Sequence, residues 1–459
     1  MYKPYIKPVS TVLPDIKVPE PRLSKLVLLS MRILGRGYLF FFLGIARAVL
    51  RNGQPFFKAY QRALEGKSRC IIAFRHPNGG EAQILMWFIL YRLRSMARKA
   101  GIKFCRKPYI SFVYGYEVAH WGGDLARWIM PGTGAMPIYH SKIDSKGMNR
   151  IFKALIKGPY PLAIAPEGKV SYTTESVPRL EQGTVRIGFQ AAERLEKQGK
   201  DYPVEILPVS IHFRYGSMGR WSLNKLIRKI EKYTGFKKDG TGFSERLERA
   251  RDIILEQNEK RYNITSNSIT PNSEQNFSER VDAIMEAALT KAERILGISA
   301  KSSDLIERLY YIKQTCWDRM MIPGLTSLKS LTLLERAIMD LDAGEAWHAS
   351  RHMELVDFVW YFRVPVPSDN APLYVKIEYA QNLWDFANRT MGGAYQNRVL
   401  NVHPKRLLIQ VAPIINLSER LKEYKENKKT AVANATKDLE RAFLDCIDRA
   451  AEYQIYGNP

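Results

Sequence analysis

In the stretch RCIIAFRHPNGGEAQILMWFIL, His76 ends an apolar run and Glu81 follows five positions later. Pro77, Asn78, Gly79 and Gly80 lie between them. A histidine does two jobs well, metal ligation and proton transfer, and a nearby carboxylate suits either. The metal option has little to build on. There is no HExxH-like face, no further histidine lies nearby in sequence, and Cys70 is at the far end of the strand. Proton transfer fits better. A neutral imidazole of pKa about 6.5 takes a proton from a hydroxyl when a carboxylate fixes its tautomer and stabilises the imidazolium. The glycines allow the sharp turn that brings the two side chains together. The helix start that follows offers unpaired amides to a developing oxyanion. No partnered serine or cysteine nucleophile accompanies the pair, so the attacking group is expected to be a hydroxyl of the substrate. Standing alone, the stretch would equally suit a loop histidine placed near a carboxylate by chance.

The elements that must position this pair read as an α/β layer. From 68 to 215 apolar strands alternate with helices: CIIAFR, a helix over 81–99, YISFVYGYE, GAMPIYH, a helix over 145–157, YPLAIAP, a helix from Gly183 to about Gln198, and VEILPVSIHF. Strands that are apolar throughout, joined by helices, predict a mostly parallel sheet flanked by helices. Sites in such sheets open at the carboxyl ends of strands, where His76 and Glu167 both fall. Helical patterns occupy 219–235, 243–259, 277–296, 303–320, 327–343, 345–362 and 375–391, interrupted by the Asn/Ser-rich 263–278. RLLIQVAP at 406–413 reads as a strand again, and its simplest home is the first sheet. The expected division is an N-terminal arm with amphipathic helices over 1–65, the α/β core over 66–216, a mainly helical insertion over 217–404, and a final strand with helices over 405–459.

The net charge of +24 favours anionic partners. No zinc-finger spacing, RNP-like aromatic motif or basic-plus-heptad run accompanies it, so nucleic acid is not the expected partner. The four cysteines are far apart and form no CxxC pair, which argues against zinc modules and disulfides and fits a reducing compartment. The proline-punctuated start lacks a secretion-signal apolar core and reads as an extended arm. Residues 25–51 look like a membrane span, yet the uncharged run between Arg36 and Arg47 is far shorter than the roughly 20 residues that spanning needs. Taken as one helix, the segment places Lys25, Arg32, Arg36, Arg47 and Arg51 within a stripe about 100° wide. A narrow cationic stripe on an apolar helix, or on a helix pair broken near Gly35, Gly37 or Gly44, suits a peripheral or monotopic element on the anionic, cytoplasmic face of a membrane. A core helix with one solvated edge is the plainer alternative.

HPNGGE, GTGAMPIYHSK, IAPEGKVS and ILPVSIHF, in that order, together resemble the motifs of the glycerolipid acyltransferase family, which includes lysophosphatidate acyltransferase. QVAPIINLSERL at 410–421 looks like a variant of that family's closing strand. The resemblance covers roughly 66–215 and 404–450. It implies that His76 is the general base and Glu81, in place of the usual aspartate, its orienting carboxylate. Gly79, Gly80, His140, Lys142, Glu167, Gly168 and Lys169 would then bind substrate, and Pro208 would match the last strand motif. The donor implied is an acyl thioester, acyl-CoA or acyl-acyl carrier protein, and the acceptor a lysolipid such as 1-acylglycerol 3-phosphate. No metal or bound cofactor is implied. Where the family has Thr-Arg after Glu-Gly, this chain has Lys169 and Val170, and a lysine is a poorer match to phosphate than a guanidinium fork. Another lysophospholipid, a lysoglycolipid or a different lipid alcohol is therefore an alternative acceptor. A catalytically idle membrane-binding protein on the same fold is the alternative from another class.

Two further Glu-x-x-His tetrads, Glu117–His120 and Glu345–His348, lack the additional glutamates that a di-iron bundle needs. They read as interior or loop histidines. HMELVDFVWYF at 352–362 reads as helical core or as the lining of an acyl or partner groove. His212 and His403 carry no pattern.

Overall fold

The computed structural model describes residues 11–15, 20–116, 118–139, 144–236, 242–264, 274–300, 302–361, 364–390 and 404–452. The chain forms two compact units, one of 18–218 with 403–459 and one of 1–17 with 219–402.

The elements follow in chain order. β1 (Leu13–Pro14) precedes α1 (Lys25–Phe41), β2 (Ile45–Leu50), α2 (Gly53–Leu64) and β3 (Arg69–Phe74). α3 (Glu81–Phe88) runs through one π turn, Ile89–Leu93, into α4 (Arg94–Lys99). β4 (Ser111–Gly115), α5 (Val118–Trp121), α6 (Gly123–Gly132) and β5 (Met136–Ile138) come next. α7 (Ser145–Lys157), β6 (Leu162–Ile164), α8 (Gly183–Lys197) and β7 (Val204–Tyr215) follow them. The largely helical stretch contains α9 (Ser217–Thr234), α10 (Phe243–Arg261), α11 (Glu274–Leu296), α12 (Leu305–Met320), β8 (Met321–Ile322), α13 (Leu333–Tyr361) and α14 (Leu373–Thr390). β9 (Lys405–Val411), β10 (Ile415–Asn416), α15 (Leu421–Glu426) and α16 (Lys428–Ala451) complete the chain.

The first unit is an α/β layer. Its sheet has the order β2-β9-β7-β3-β6-β4-β5, with β10 also against β7. β3 to β7 run parallel to one another in the sheet. β9 meets β7 antiparallel, and β2 lies parallel to β9. The apolar strands are buried on both faces, as their unbroken composition requires. Ile72, Phe74, Leu207 and Ile409 pack against Phe56 and Tyr60 of α2 and Phe88 of α3. Ile71, Ala73, Leu162 and Ile206 pack against Phe152 of α7, Phe189 of α8 and Phe443 of α16. Pro208 stands where β7 changes neighbour from β10 to β9, a place where a missing N–H costs no ladder bond.

The second unit packs α11, α12 and α13 through Ile284, Ala288, Ile312, Ala343 and Ala346, all fully buried. β1 pairs there with β8, and the Val12 N–H donates to Asp340 at 2.8 Å.

Three expectations change. Residues 45–50 are a sheet strand rather than part of an interfacial helix, so the apolar N-terminal helix ends at Phe41 and Arg47 lies off it. Gly44, at φ +65°, breaks the helix, and pairing with β9 makes the strand. Residues 53–64 pack into the sheet core through Phe56, Phe57 and Tyr60. The helices expected over 327–343 and 345–362 are one, α13, because its interior Gly344 costs only about 1 kcal/mol relative to alanine. Among the described residues no helix is long and apolar enough to cross a membrane.

Candidate active site

β3 and β6 are adjacent parallel strands, and each ends in a residue that the site uses. β3 delivers Arg75 and then His76, while β6 leads through Ala165 and Pro166 to Glu167. Gly79 turns the chain at φ +89°, a conformation open to glycine and strained for other residues, and α3 begins two residues later. The turn brings the expected pair into contact. His76 Nδ1 lies 2.7 Å from Glu81 Oε2. The His76 side chain is 22% exposed, whereas that of Glu81 is completely buried. Nδ1–H therefore donates inward to the carboxylate, and Nε2 is the nitrogen left for a substrate proton.

Burial disfavours the charged ring. The hydrogen bond to Glu81, the Glu81 charge and the Glu167 charge outweigh it, so His76 titrates above the ordinary imidazole value. The sign for stability follows. A raised folded-state pKa means that the charged contact stabilises the fold fully below the ring's unfolded value, and this stabilisation is lost as pH rises through the folded value.

A second carboxylate holds the histidine from beneath. Glu167 and Arg75 form a completely buried ion pair, with Arg75 Nε donating to Glu167 Oε1. The other oxygen of Glu167 accepts the His76 backbone N–H at 3.1 Å. The far end of the guanidinium donates to the carbonyls of Thr173 at 2.8 Å and Ser176 at 2.6 Å. The loop after β6 is thus stitched under the site, and Ser171 N–H adds a bond to the His76 carbonyl at 2.9 Å. Farther along this loop Glu175 accepts from Arg214 at 2.9 Å and lies 3.5 Å from His212 Nδ1. His212 Nε2 in turn sits 2.9 Å from Ser210 Oγ. Serine, histidine and carboxylate in a row suggest a nucleophilic triad, but Ser210 and His212 are completely buried. Burial also holds His212 below the ordinary imidazole value despite Glu175. The row anchors the loop to β7.

Glu167 was expected to meet the acceptor, but its side chain is sealed from solvent and saturated by Arg75 and the His76 amide. Its visible work is to hold the histidine backbone. Gly79 was expected to offer its amide, but that N–H donates to Glu81 Oε2 at 2.9 Å. Gly80 is buried, and a Cβ there would come within 3.0 Å of Leu43, in the turn after α1. Gly168 is a left-handed residue at φ +68°, and the Glu181 carboxylate occupies the place of its missing Cβ. Lys169 is half-buried on the same loop, two residues before the Ser171 that binds the His76 carbonyl. His140 and Lys142 lie outside the described residues, as do Glu117 and the side chain of His120. His348 and His352 of α13 face each other with ring centroids 5.1 Å apart, and His352 Nδ1 lies 2.8 Å from the Tyr262 hydroxyl. Among the described residues no group of three or more His, Cys, Asp or Glu side chains is arranged to hold a metal ion.

Arg75 is the residue beneath the site that the sequence did not single out. A charged residue closing a buried apolar strand was its signal, and the glutamate just past the end of another strand was its natural partner. No protein-family model matches the sequence, and no curated protein is similar to it.

Proposed function

We propose that the protein is a membrane-associated O-acyltransferase that moves a fatty acyl group from an acyl thioester to the hydroxyl of a lysolipid. The observation that carries this reading is the His76–Glu81 contact at the end of β3. In this reading His76 Nε2 takes the proton of the lipid hydroxyl as its oxygen adds to the thioester carbonyl. The tetrahedral intermediate then collapses, the C–S bond breaks, and the imidazolium returns the proton to the departing thiolate. Glu81 offsets the charge on the ring throughout. With the Gly79 amide committed to Glu81, the oxyanion falls to the uncapped amides at the start of α3.

The order of the motifs supports a glycerolipid acceptor, with 1-acylglycerol 3-phosphate first among them. Lys169 beside the site supports an anionic headgroup, held as a point charge. The donor is acyl-CoA or acyl-acyl carrier protein, and neither needs a resident cofactor. The exposed apolar side of α1, with Arg32 and Arg36 along it, supports work at the cytoplasmic face of an anionic membrane.

The test is a panel of lysolipids offered with radiolabelled acyl-CoA and acyl-acyl carrier protein. Ester formation on lysophosphatidate is expected to exceed that on lysoglycolipids and neutral lipid alcohols. Transfer to no hydroxyl acceptor from either donor would refute the reading.

The rate should also depend on pH in a defined direction. A general base acts when neutral, so kcat/KM is expected to rise with pH and level off above the folded-state value of His76. That limb should lie above the ordinary value of about 6.5. Glu81→Gln removes the larger part of what raises the ring and leaves burial and the Glu167 charge, so its limb should move to lower pH than that of the wild type while the plateau falls. An unmoved limb in the variant would separate Glu81 from the titrating group.

A further inference from the structure

α6 was not singled out by any motif, yet it carries two of the most exposed large apolar side chains in its unit. Leu125 is 69% exposed and Trp128 65% exposed. Single exposed apolar residues are ordinary on a protein surface, but a continuous group of them marks a contact surface. The helix that carries these two is fastened to α1, which carries more of them. The backbone leading into α1 is fastened to the end of α6, with Arg22 N–H donating to the Pro131 carbonyl at 2.9 Å and Ser24 N–H to that of Gly132 at 2.8 Å. Val27 of α1 fills the space that a side chain at Gly132 would need. The two helices are locked together.

α1 turns Leu28, Met31, Gly35 and Leu39 inward, where Gly35 lies directly against Trp87 of α3. At 100° per residue its outward side is an apolar band about 140° wide, opposite the buried side. Leu26, Leu29, Ile33 and Leu34 form that band and are all exposed, and the hydroxyl of Ser30 among them donates to the Val27 carbonyl. Lys25, Arg32 and Arg36 fall within about 40° of one another along one flank, and each is exposed. No carboxylate occurs in α1. Asp124 of α6 is paired with Arg127 at 2.8 Å. The end of α1 presents Phe41, 79% exposed, with Phe42 beside it.

We propose that α1 and α6 together form one face that seats on an anionic bilayer, with the Phe40–Phe42 end of α1 in the acyl region and Trp128 at the headgroup level. The choice of a bilayer over a protein rests on the pattern. An apolar band on α1 that is flanked by a cationic row and free of carboxylates, beside an α6 tryptophan and an aspartate neutralised by Arg127, matches the layering of a lipid interface. This inference deepens the lipid acyltransferase reading, on which it rests, by naming the surface that meets the substrate's own phase.

The test uses the full chain and vesicles of phosphatidylcholine with or without phosphatidylglycerol. Leu125→Glu/Trp128→Glu is expected to lower partition onto the anionic vesicles by about tenfold or more, with an unchanged thermal melt because both positions are exposed. Arg32→Gln/Arg36→Gln is expected to shrink the preference for phosphatidylglycerol and flatten the salt dependence. Wild-type partition of the α6 variant would overturn the proposal. Lipid-free self-association that the same variant abolishes would overturn it in favour of a second copy as the occupant. Acyl transfer between short-chain monomeric substrates should be unchanged in the α6 variant. A wild-type protein that binds vesicles but transfers no acyl group would sink the catalytic reading and leave this surface standing.

Discussion

His76→Ala is expected to lower acyl transfer by two to four orders of magnitude, roughly the contribution of a positioned general base, while vesicle binding and the thermal melt stay close to wild type. The ring reaches solvent through its outer edge and makes one side-chain hydrogen bond, to Glu81. Its loss therefore leaves no large cavity, but it does strip Glu81 Oε2 of one of its two donors. The Gly79 N–H remains on that oxygen, and this should hold the turn in place. Initial rates with saturating acceptor, followed by label entering the lipid fraction, give the measurement. Activity within threefold of wild type would mean that the proton leaves by another route. His76→Gln separates shape from proton transfer, since it keeps a donor near Glu81 without an imidazole's basicity, and it should be as slow as the alanine variant.

Arg75→Leu should be the most destabilising single change in the α/β unit, costing about 3–5 kcal/mol. The guanidinium is the charged partner of a carboxylate with no exposed surface, and it also satisfies carbonyls of the loop after β6. Removing it strands a buried charge and frees the loop together. Urea unfolding gives the number. Arg75→Leu/Glu167→Leu should recover a large part of the loss, because replacing both partners with apolar groups removes the stranded charge. The recovered variant should still be slow in acyl transfer, because the His76 amide would lack the carboxylate oxygen that holds it. If the single and double variants unfold at the same urea concentration, the pair is not coupled as described.

The site was legible where the chemistry is local. His76, Gly79 and Glu81 lie within six consecutive residues, and the turn and the helix start that join them are written in that stretch. The strands β3, β6 and β7 were legible because buried parallel strands are apolar throughout and end at turn residues. β9 was legible as a strand, and it pairs with both β2 and β7. What could not be read depends on partners distant in sequence. Ile45–Leu50 continues an apolar helix with little change in composition and becomes a strand through β9, which is supplied from the far end of the chain. The placement of Glu167 turned on a partner at Arg75, so a residue expected to face the ligand lies buried beneath the His76 backbone. α6 escaped notice because its two exposed apolar residues gain meaning only beside α1.

The strand order carries a consequence for how the protein comes to exist. Among the described residues β2 has a single sheet neighbour, β9, and β9 also covers the outer edge of β7. All of residues 219–402 must be synthesised after β7 and before β9. Through that interval a nascent chain carries β2 without a neighbour and β7 with one flank bare, the kind of open edge that invites wrong pairing. Closure therefore waits for the last stretch of translation, and fragments truncated before Lys405 should aggregate rather than accumulate as a smaller folded protein.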